Sequence, residues 1–259
     1  MHSVGVVVPA YRPDVATLES YVRALREHLD PDTIRIELDA PEPGVESTLK
    51  ALPATVNAVP ERRGKGAAIT AGFEALDTDV LAFADADGST PAESIAEVVD
   101  PVREGRSDLA VGSRRHPDAE VRSHQTIARR YLGDGFAWLA RRLLDAELYD
   151  YQCGAKAIHR DAWTAVREHL YEPGFAWDIE LVAMAAALEF RVAEVPVVWE
   201  DKPESTVSPV STVVEMGVAL LAARHRSRLL RDDPIHATIA EHTSHPTPLV
   251  DRAPEPTDE

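Results

Sequence analysis

The sequence predicts an α/β fold built on an open, mostly parallel β-sheet with helices on both faces. Short apolar runs alternate with longer segments in which apolar residues recur at helical spacing, from the N-terminus to about Gly112. Residues 4–8 and 80–84 are nearly continuous apolar runs, which is typical of strands buried on both faces of a parallel sheet. In such a sheet ligands bind beyond the carboxyl ends of the strands. The polar residues that follow the apolar runs are therefore the first candidates for a functional site.

The elements of the first half follow from these patterns in chain order. Pro9 closes the first run, and Leu18, Val22 and Leu25 then recur on one helical face. Pro91 stands at the start of another helical segment, a position that proline favours. Strands are predicted at residues 4–8, 34–38, 55–59, 80–84 and 109–112, and helices at 15–29, 66–76 and 91–103.

The second half is predicted to pack on the first. A helical pattern covers residues 122–144, followed by a strand at 154–158, helices near 161–169 and 179–188, and a strand at 192–199. The sequence then predicts a single α/β domain at residues 1–207, an amphipathic helix at 208–231 and a disordered tail at 232–259, which is polar and rich in proline. The predicted helix ends in a basic cluster formed by Arg224, His225, Arg226, Arg228 and Arg231.

The composition is strongly acidic. Asp and Glu number 44 against 27 Lys and Arg, the net charge is -17, and only four of the basic residues are lysine. At molar salt the Debye length falls to about 3 Å, so such a surface becomes tolerable. The balance therefore indicates a salt-loving source, with an ordinary acidic protein as the alternative. It disfavours nucleic acid as a partner.

The sequence also predicts a cytoplasmic, soluble protein. The lone Cys153 cannot form an intrachain disulfide or a cysteine metal site, and we expect it to be a small buried residue. No charged leader or cleavage site precedes the first apolar run. The longest nearly apolar stretch, at residues 210–223, is too short to cross a membrane and contains Glu215.

Two carboxylates directly follow the apolar run at residues 80–84. Asp85 and Asp87 are two residues apart, so in strand geometry they share one face, and a turn at Gly88 would bring both to one cation. Mg²⁺ and Mn²⁺ bind through one or two carboxylates together with the phosphates of a substrate. The pair therefore suggests a divalent metal site for a nucleotide-linked donor. Favourable turn chemistry is the alternative explanation.

Further polar motifs fall at predicted strand or helix ends. The turn Gly64, Lys65, Gly66 opens a helix and could hold phosphate or a base through backbone N–H groups, or could simply start the helix. Arg114 and Arg129 are candidates for an anionic ligand, because the guanidinium fork matches phosphate oxygens, with salt bridges as the alternative. Asp178 and Glu180 begin a helix, where the helix dipole also explains their charge.

The order of these motifs resembles the family 2 glycosyltransferases of GT-A fold, and most closely the dolichyl-phosphate mannose or glucose synthases. The resemblance covers roughly residues 4–207. The matching motifs are Pro9-Ala10-Tyr11, Asp39, the run at residues 64–68, Asp85 to Asp87, Gly112-Ser113-Arg114, the Asp-X-Gln-Cys-Gly-X-Lys motif at residues 150–156, Trp177-Asp178-Ile179-Glu180 and Glu194-Val195-Pro196-Val197.

The resemblance implies a GT-A (Rossmann-like) fold and a set of site residues. Asp85 and Asp87, with Ser89 nearby, would hold Mg²⁺ or Mn²⁺. Arg114 and Arg129 would receive the acceptor phosphate, and Asp87, Asp178 and Arg129 would be catalytic, with Asp178 as a base or an orienting group. The donor would bind to Pro9, Tyr11, Asp39, Gly64, Lys65, Asp85, Ala86, Asp87, Arg114 and Lys202.

Several residues depart from the family pattern. Arg12, Pro13 and Asp14 follow the first motif in place of Asn-Glu, so the acidic contact either shifts to Asp14 or is lost. Asp39 is followed by Ala-Pro in place of Asp-Gly-Ser, and Lys202 lacks the usual flanking residues. These departures leave the identity of the nucleotide base open.

The implied activity is the metal-dependent, inverting transfer of a hexose from a nucleotide-diphosphate sugar, of the GDP-mannose or UDP-glucose type, to a polyprenyl (dolichyl) phosphate. Protein or surface glycosylation in a halophilic archaeon, with peripheral contact to the inner face of the cell membrane, is the expected setting. One alternative is a soluble or glycan hydroxyl acceptor, which needs a carboxylate base. A second is a non-catalytic protein that binds nucleotide sugars.

Overall fold

The structure, a computed structural model of the chain, describes residues 2–122, 127–200, 209–241 and 246–252. Side chains are described for these residues except 127–134 and 209–215. Among the described residues, seven strands form one sheet in the order β3-β2-β1-β4-β7-β5-β8, and β6 pairs with β9 in a separate parallel ribbon. The strands are β1 (Val4–Tyr11), β2 (Thr33–Asp39), β3 (Thr55–Val59), β4 (Val80–Ala84), β5 (Leu109–Ser113), β6 (Glu120–Val121), β7 (Ala155–His159), β8 (Val192–Pro196) and β9 (Val198–Trp199).

All pairings in the large sheet are parallel except those of β7, which lies antiparallel between β4 and β5. Helices cover both faces, as predicted. The described helices are α1 (Val15–His28), α2 (Val45–Leu49), α3 (Lys65–Glu74), α4 (Ala92–Arg103), α5 (Ile127–Leu143), α6 (Arg160–Val166), α7 (Trp177–Ala187), α8 (Pro209–Leu230) and α9 (Pro234–Ala240), with 3₁₀ turns at Arg167–His169 and Leu249–Asp251.

The sheet separates two hydrophobic cores. Val7 and Phe83 face the core that contains α3, α6 and α7, whereas Val6 and Val8 face the core that contains α1 and α4. This alternation follows from the two-residue period of a strand. It explains why the runs at β1 and β4 are apolar at almost every position, since neither face meets water.

The late strand differs from its prediction. Instead of one strand at residues 192–199, β8 ends at Pro196 and β9 begins at Val198 in the other ribbon. Between them, Val197 donates its N–H to Ser113 O at 3.1 Å and accepts from Glu120 N at 3.2 Å, so the chain changes partner at this residue. Proline cannot donate to a ladder, which makes Pro196 a suitable last residue of β8.

Part of the stretch predicted to be a disordered tail is structured. Asp233 caps α9 by accepting from Ile235 N and His236 N, and Pro234 occupies the first helical position. Further on, Leu249 is 8% exposed and donates its N–H to Leu170 O at 2.8 Å. The polar composition of this stretch predicted disorder. The cap at Asp233 stabilises α9, and the buried Leu249 attaches the later 3₁₀ turn to the domain.

Helix α8 differs from the predicted cationic amphipathic helix. Met216, Leu220 and Ala223 are buried in the core shared with α7, but Val218 and Leu221 on the outer side are more than half exposed. The arginines of the predicted basic cluster have partners within the chain: Arg226 pairs with Glu180, Arg228 and Arg231 both pair with Asp145, and Arg224 donates to Leu143 O. The structure therefore favours a packing role for this helix. Within the described ranges, no helix has the length and hydropathy to span a bilayer.

Candidate active site

The acidic pair lies at the carboxyl edge of the sheet, where β4 ends. Asp85 donates its backbone N–H to Gly154 O at 3.0 Å, and its side chain is 39% exposed. Gly88 adopts a φ of 65°, which turns the chain directly after Asp87. Asp87 is exposed, and its Oδ1 accepts from Ser89 N at 2.9 Å. Ser89 is itself buried and supports Asp87 through this amide, so a ligand role for its hydroxyl stays a prediction.

Gly154 gives Asp85 its place. A Cβ at this position would stand 1.9 Å from Asp85 Oδ2 and 2.3 Å from its Cγ, so no other residue fits without moving the carboxylate. The glycine of the Asp-X-Gln-Cys-Gly-X-Lys motif thus acts on the Asp-X-Asp motif through contact, although some 70 residues separate them.

We expect Gly154→Ala to displace the Asp85 carboxylate and to weaken binding of Mn²⁺ by about 10-fold or more, in the range seen when the supports of metal ligands are altered. Titration with Mn²⁺ followed by electron paramagnetic resonance measures this affinity. Gly135→Ala is the control, because a Cβ at Gly135 meets nothing within 4 Å. Equal Mn²⁺ affinity in the Gly154 variant and the wild type would contradict the assignment.

A row of alternating charges continues from Asp85 into the core. Lys65 Nζ lies 2.9 Å from Asp85 Oδ1 and 3.0 Å from Asp178 Oδ2. Lys156 Nζ lies 2.6 Å from Asp178 Oδ1 and donates to Cys153 O at 2.8 Å. The ring of Phe83 contacts both ammonium groups, at 5.1 and 5.6 Å from its centroid.

Burial and ion pairing shift the pKa values of Lys65 and Asp178 in opposite directions, and ion pairing has the larger effect. Burial alone would lower the pKa of Lys65, but the carboxylates of Asp178 and Asp85 raise it above its ordinary value. Burial alone would raise the pKa of Asp178, but Lys156 and Lys65 hold it below its ordinary value. Both groups are therefore charged at neutral pH.

This geometry does not fit the predicted role of Asp178 as a general base. Its side chain is 2% exposed, both oxygens accept from lysines, and its lowered pKa makes it a weak proton acceptor. It does fit the orienting role, because Asp178 fixes Lys65 beside Asp85. Lys156, 1% exposed, was not among the predicted site residues, although a lysine within an apolar strand is a signal that could have identified it.

Arg114 forms a bidentate ion pair with Asp150. Arg114 Nε and Nη2 lie 2.6 and 3.0 Å from the two oxygens of Asp150, and the backbone N–H of Arg114 also donates to Asp150. Burial would raise the pKa of Asp150, but Arg114 lowers it to about 2. Glu194 in turn accepts from the backbone N–H groups of Tyr149 and Asp150. The salt-bridge alternative for Arg114 is thus present, and its contact with a phosphate stays a prediction.

In the predicted nucleotide pocket, the Asp39 carboxylate, like that of Asp150, is already hydrogen-bonded within the chain. Asp39 is nearly buried and accepts from Arg63 Nε at 2.8 Å and from the backbone N–H groups of Arg63 and Gly64 at 2.8 and 3.1 Å. Beside it, Tyr11 is 39% exposed and carries Arg62 over its ring at 4.3 Å. Asp14 caps α1 by accepting from Thr17 N, so capping explains its position.

The remaining predicted residues divide into two groups. Pro9 lies in β1 and Ala86 is partly buried between the two aspartates, while Gly64 has a φ of 97° that disfavours other residues. Arg129 lies in α5, but its side chain is outside the described residues, and so is all of Lys202. Cys153 is free and buried, as predicted, and burial raises the pKa of its thiol to about 11.

The fold is that of the GT-A class of transferases. A solved structure with the same fold is glucosyl-3-phosphoglycerate synthase from Mycobacterium tuberculosis, in complex with Mn²⁺, UDP-glucose and phosphoglyceric acid. It superimposes with a TM-score of 0.64 at 18% sequence identity, over 86% of this chain and 80% of that one. The sequence narrows the class: the chain belongs to glycosyl transferase family 2, whose model matches residues 5–165.

Two relatives illustrate the similarity. The glycosyltransferase AglD of Haloferax volcanii is 34% identical over 232 residues, which are 84% of this chain and 36% of AglD. The dolichyl-phosphate beta-glucosyltransferase of Mus musculus is 32% identical over 173 residues, 63% of this chain and 52% of that protein. The chain thus spans about half or less of the length of these curated relatives. The resemblance drawn from the motifs is confirmed at the level of the family and the fold.

Proposed function

We propose that this chain transfers a hexose from a nucleotide-diphosphate sugar to a polyprenyl phosphate, with inversion at the anomeric carbon. The observation that carries the proposal is the acidic pair at the carboxyl edge of the sheet, with Lys65 bound directly to Asp85. Membership of glycosyl transferase family 2 supports sugar transfer. The names of the curated relatives, several of which are dolichyl-phosphate beta-glucosyltransferases, support a polyprenyl phosphate acceptor and favour glucose, and hence a UDP-glucose donor over GDP-mannose.

The residues at the edge fit a divalent cation. Asp85 and Asp87 offer hard oxygen ligands that are open to solvent, and Gly154 leaves the space that the Asp85 carboxylate needs. A site built on two carboxylates is typical of Mg²⁺ and Mn²⁺ sites in which phosphates of a substrate and water complete the coordination. Bound Mg²⁺ or Mn²⁺ would supply Lewis-acid stabilisation of the charge on the departing nucleoside diphosphate.

Lys65 is well placed to assist at the same point. Its raised pKa keeps it charged, and its ammonium is already next to Asp85. We propose that it contacts the donor diphosphate while Asp178 holds it in place. Lys202 is proposed for the same diphosphate, and Pro9, Tyr11 and Asp39 for the nucleoside, with Tyr11 as the exposed contact.

The acceptor side needs little base catalysis. A phosphate monoester has its second pKa near 6, so it carries a nucleophilic oxygen at neutral pH. A hydroxyl acceptor needs a carboxylate base, and the double pairing of Asp178 with lysines argues against that alternative. Arg114 and Arg129 are proposed to receive the acceptor phosphate, with Arg114 sharing its guanidinium between phosphate and Asp150. We also propose peripheral contact with the inner face of a membrane that holds the acceptor.

The proposed function predicts lipid-linked product from one nucleotide sugar. The purified chain is incubated with labelled UDP-glucose or GDP-mannose, polyprenyl phosphate and Mn²⁺ or Mg²⁺, and the label is extracted into organic solvent. We expect extraction from UDP-glucose that requires both the lipid and the metal. Label recovered only on added soluble sugars would favour the hydroxyl-acceptor alternative, and donor binding without turnover would favour a binding protein.

A further inference from the structure

Glu180 is buried on the first turn of α7 and uses both of its oxygens. Oε2 accepts from the backbone N–H groups of Tyr171 and Glu172 at 2.7 and 2.9 Å, and Oε1 pairs with Arg226 of α8. Glu180 is 1% exposed, and burial raises the pKa of its carboxyl above the ordinary value for Glu. A charge in such a place is costly unless it is fully paired, and here three donors pair it.

The segment that Glu180 holds forms the surface on which the Gly-Lys-Gly turn rests. Pro173 O accepts the backbone N–H of Ala67 at 3.1 Å. A Cβ at Gly64 would stand 2.5 Å from Pro173 O, and a Cβ at Gly66 would stand 2.5 Å from Glu172 O. Backbone therefore packs against backbone with no space for a side chain. A shift of the segment at residues 171–174 would move the turn with it.

Lys65 lies between these two glycines, so the segment supports the backbone from which its side chain extends. Two residues in the first turn of α7 help to position Lys65. Asp178 holds the ammonium directly at 3.0 Å, while Glu180, two residues later, holds the backbone beneath the turn. Arg226 connects this arrangement to α8.

We propose that Glu180 is a positioning residue of the donor site, which fixes the segment at residues 171–174 against Gly64–Gly66 and so places Lys65 between Asp85 and Asp178. The effect on donor binding rests on the proposed function. The effect on the backbone does not, because it depends only on the contacts that Glu180 makes.

The test compares Glu180→Ala and Glu180→Gln with Asp233→Ala. Asp233 is a matched control, because its carboxylate also holds two backbone N–H groups, at the start of α9 and away from the Gly-Lys-Gly turn. Amide hydrogen exchange is measured at Tyr171, Glu172 and Ala67. Binding of UDP-glucose with Mn²⁺ is measured by calorimetry, and KM and kcat are measured in the transfer assay.

We expect Glu180→Ala to accelerate exchange at Tyr171 and Glu172 by about 10-fold or more, because both amides lose their acceptor. Exchange at Ala67 should also accelerate, because its acceptor, Pro173 O, is then held less firmly. Donor affinity should fall by about 10-fold, with KM rising more than kcat falls. Glu180→Gln should accelerate exchange at the same amides by a smaller factor, because its carbonyl can still accept from both N–H groups but carries no charge. If the alanine variant does not fold, wild-type exchange at all three amides in Glu180→Gln would overturn the inference.

Asp233→Ala should leave exchange at Ala67 and donor affinity unchanged. Wild-type exchange at Ala67 in Glu180→Ala, or equal loss of donor binding in the Asp233 variant, would overturn the inference. If the wild type itself neither binds nor uses the donor, the proposed function fails, while the exchange comparison still decides whether Glu180 holds the turn.

Discussion

Asp87→Asn is expected to lower the rate of sugar transfer by at least about 100-fold, because loss of the proposed direct metal ligand should exceed the 10- to 100-fold loss typical of residues that only support one. Asparagine keeps the size of the side chain and can still accept from Ser89 N, so the turn should survive. The substitution removes only the negative charge. The loss should appear in kcat as well as in KM, since a cation held by Asp87 would stabilise the charge on the departing diphosphate.

Asp161→Asn is the matched control. Asp161 is 91% exposed and follows β7, whose antiparallel direction places its end at the opposite edge of the sheet from Asp85. This variant loses the same charge from the same acidic surface, so it accounts for changes in overall field and salt response. Its transfer rate should match that of the wild type. Full activity of Asp87→Asn, or an equal loss in both variants, would remove the metal role of Asp87.

Lys156→Met is expected to cause a large decrease in the free energy of unfolding. Lys156 and Asp178 are 1% and 2% exposed at their side chains, and removing one partner of a buried ion pair typically costs about 3–5 kcal/mol, because the other charge stays behind without compensation. Urea unfolding at constant salt measures the free energy of unfolding. The remaining contact of Asp178 with Lys65 should keep the loss near the lower end of this range.

Two further variants serve as controls for this prediction. Arg106→Gln breaks the pair between Arg106 and Glu104, whose side chains are more than half exposed, and should leave the unfolding midpoint almost unchanged. Lys156→Met combined with Asp178→Leu replaces both charges and should recover part of the stability, although transfer activity should stay low. A loss in Lys156→Met no greater than in Arg106→Gln would contradict the placement of the buried charges.

The parts of the fold that depend on local patterns could be predicted. The strand at Val80–Ala84 and the polar turn after it follow from five buried positions and a change to Asp and Gly. The place of β7 could not be predicted, because nothing within its five residues says that it enters antiparallel between β4 and β5. The break at Pro196 likewise depends on a partner, Ser113, that is remote in sequence.

The candidate site was predicted in part for the same reason. The acidic pair was recognisable because its two members are neighbours. Arg114 was assigned to an anionic ligand and Asp178 to catalysis, as a base or an orienting group. The structure gives both of them partners within the chain, Asp150 for Arg114 and two lysines for Asp178. Residue type indicates that a charge must be paired, and only the fold determines with what. Gly154 shows the same dependence on the fold. A glycine is needed there because the Asp85 carboxylate occupies the space that a Cβ would take.

Calorimetric binding of UDP-glucose, with and without Mn²⁺, tests most directly whether Asp85 and Asp87 hold a cation that bridges the donor diphosphate. We predict binding by the wild type that requires Mn²⁺ and is lost in excess chelator, and no Mn²⁺-dependent binding by Asp85→Asn or Asp87→Asn. Asp161→Asn should bind as the wild type does. Donor binding of equal strength in chelator, or Mn²⁺-dependent binding that survives in both Asp85→Asn and Asp87→Asn, would contradict the account.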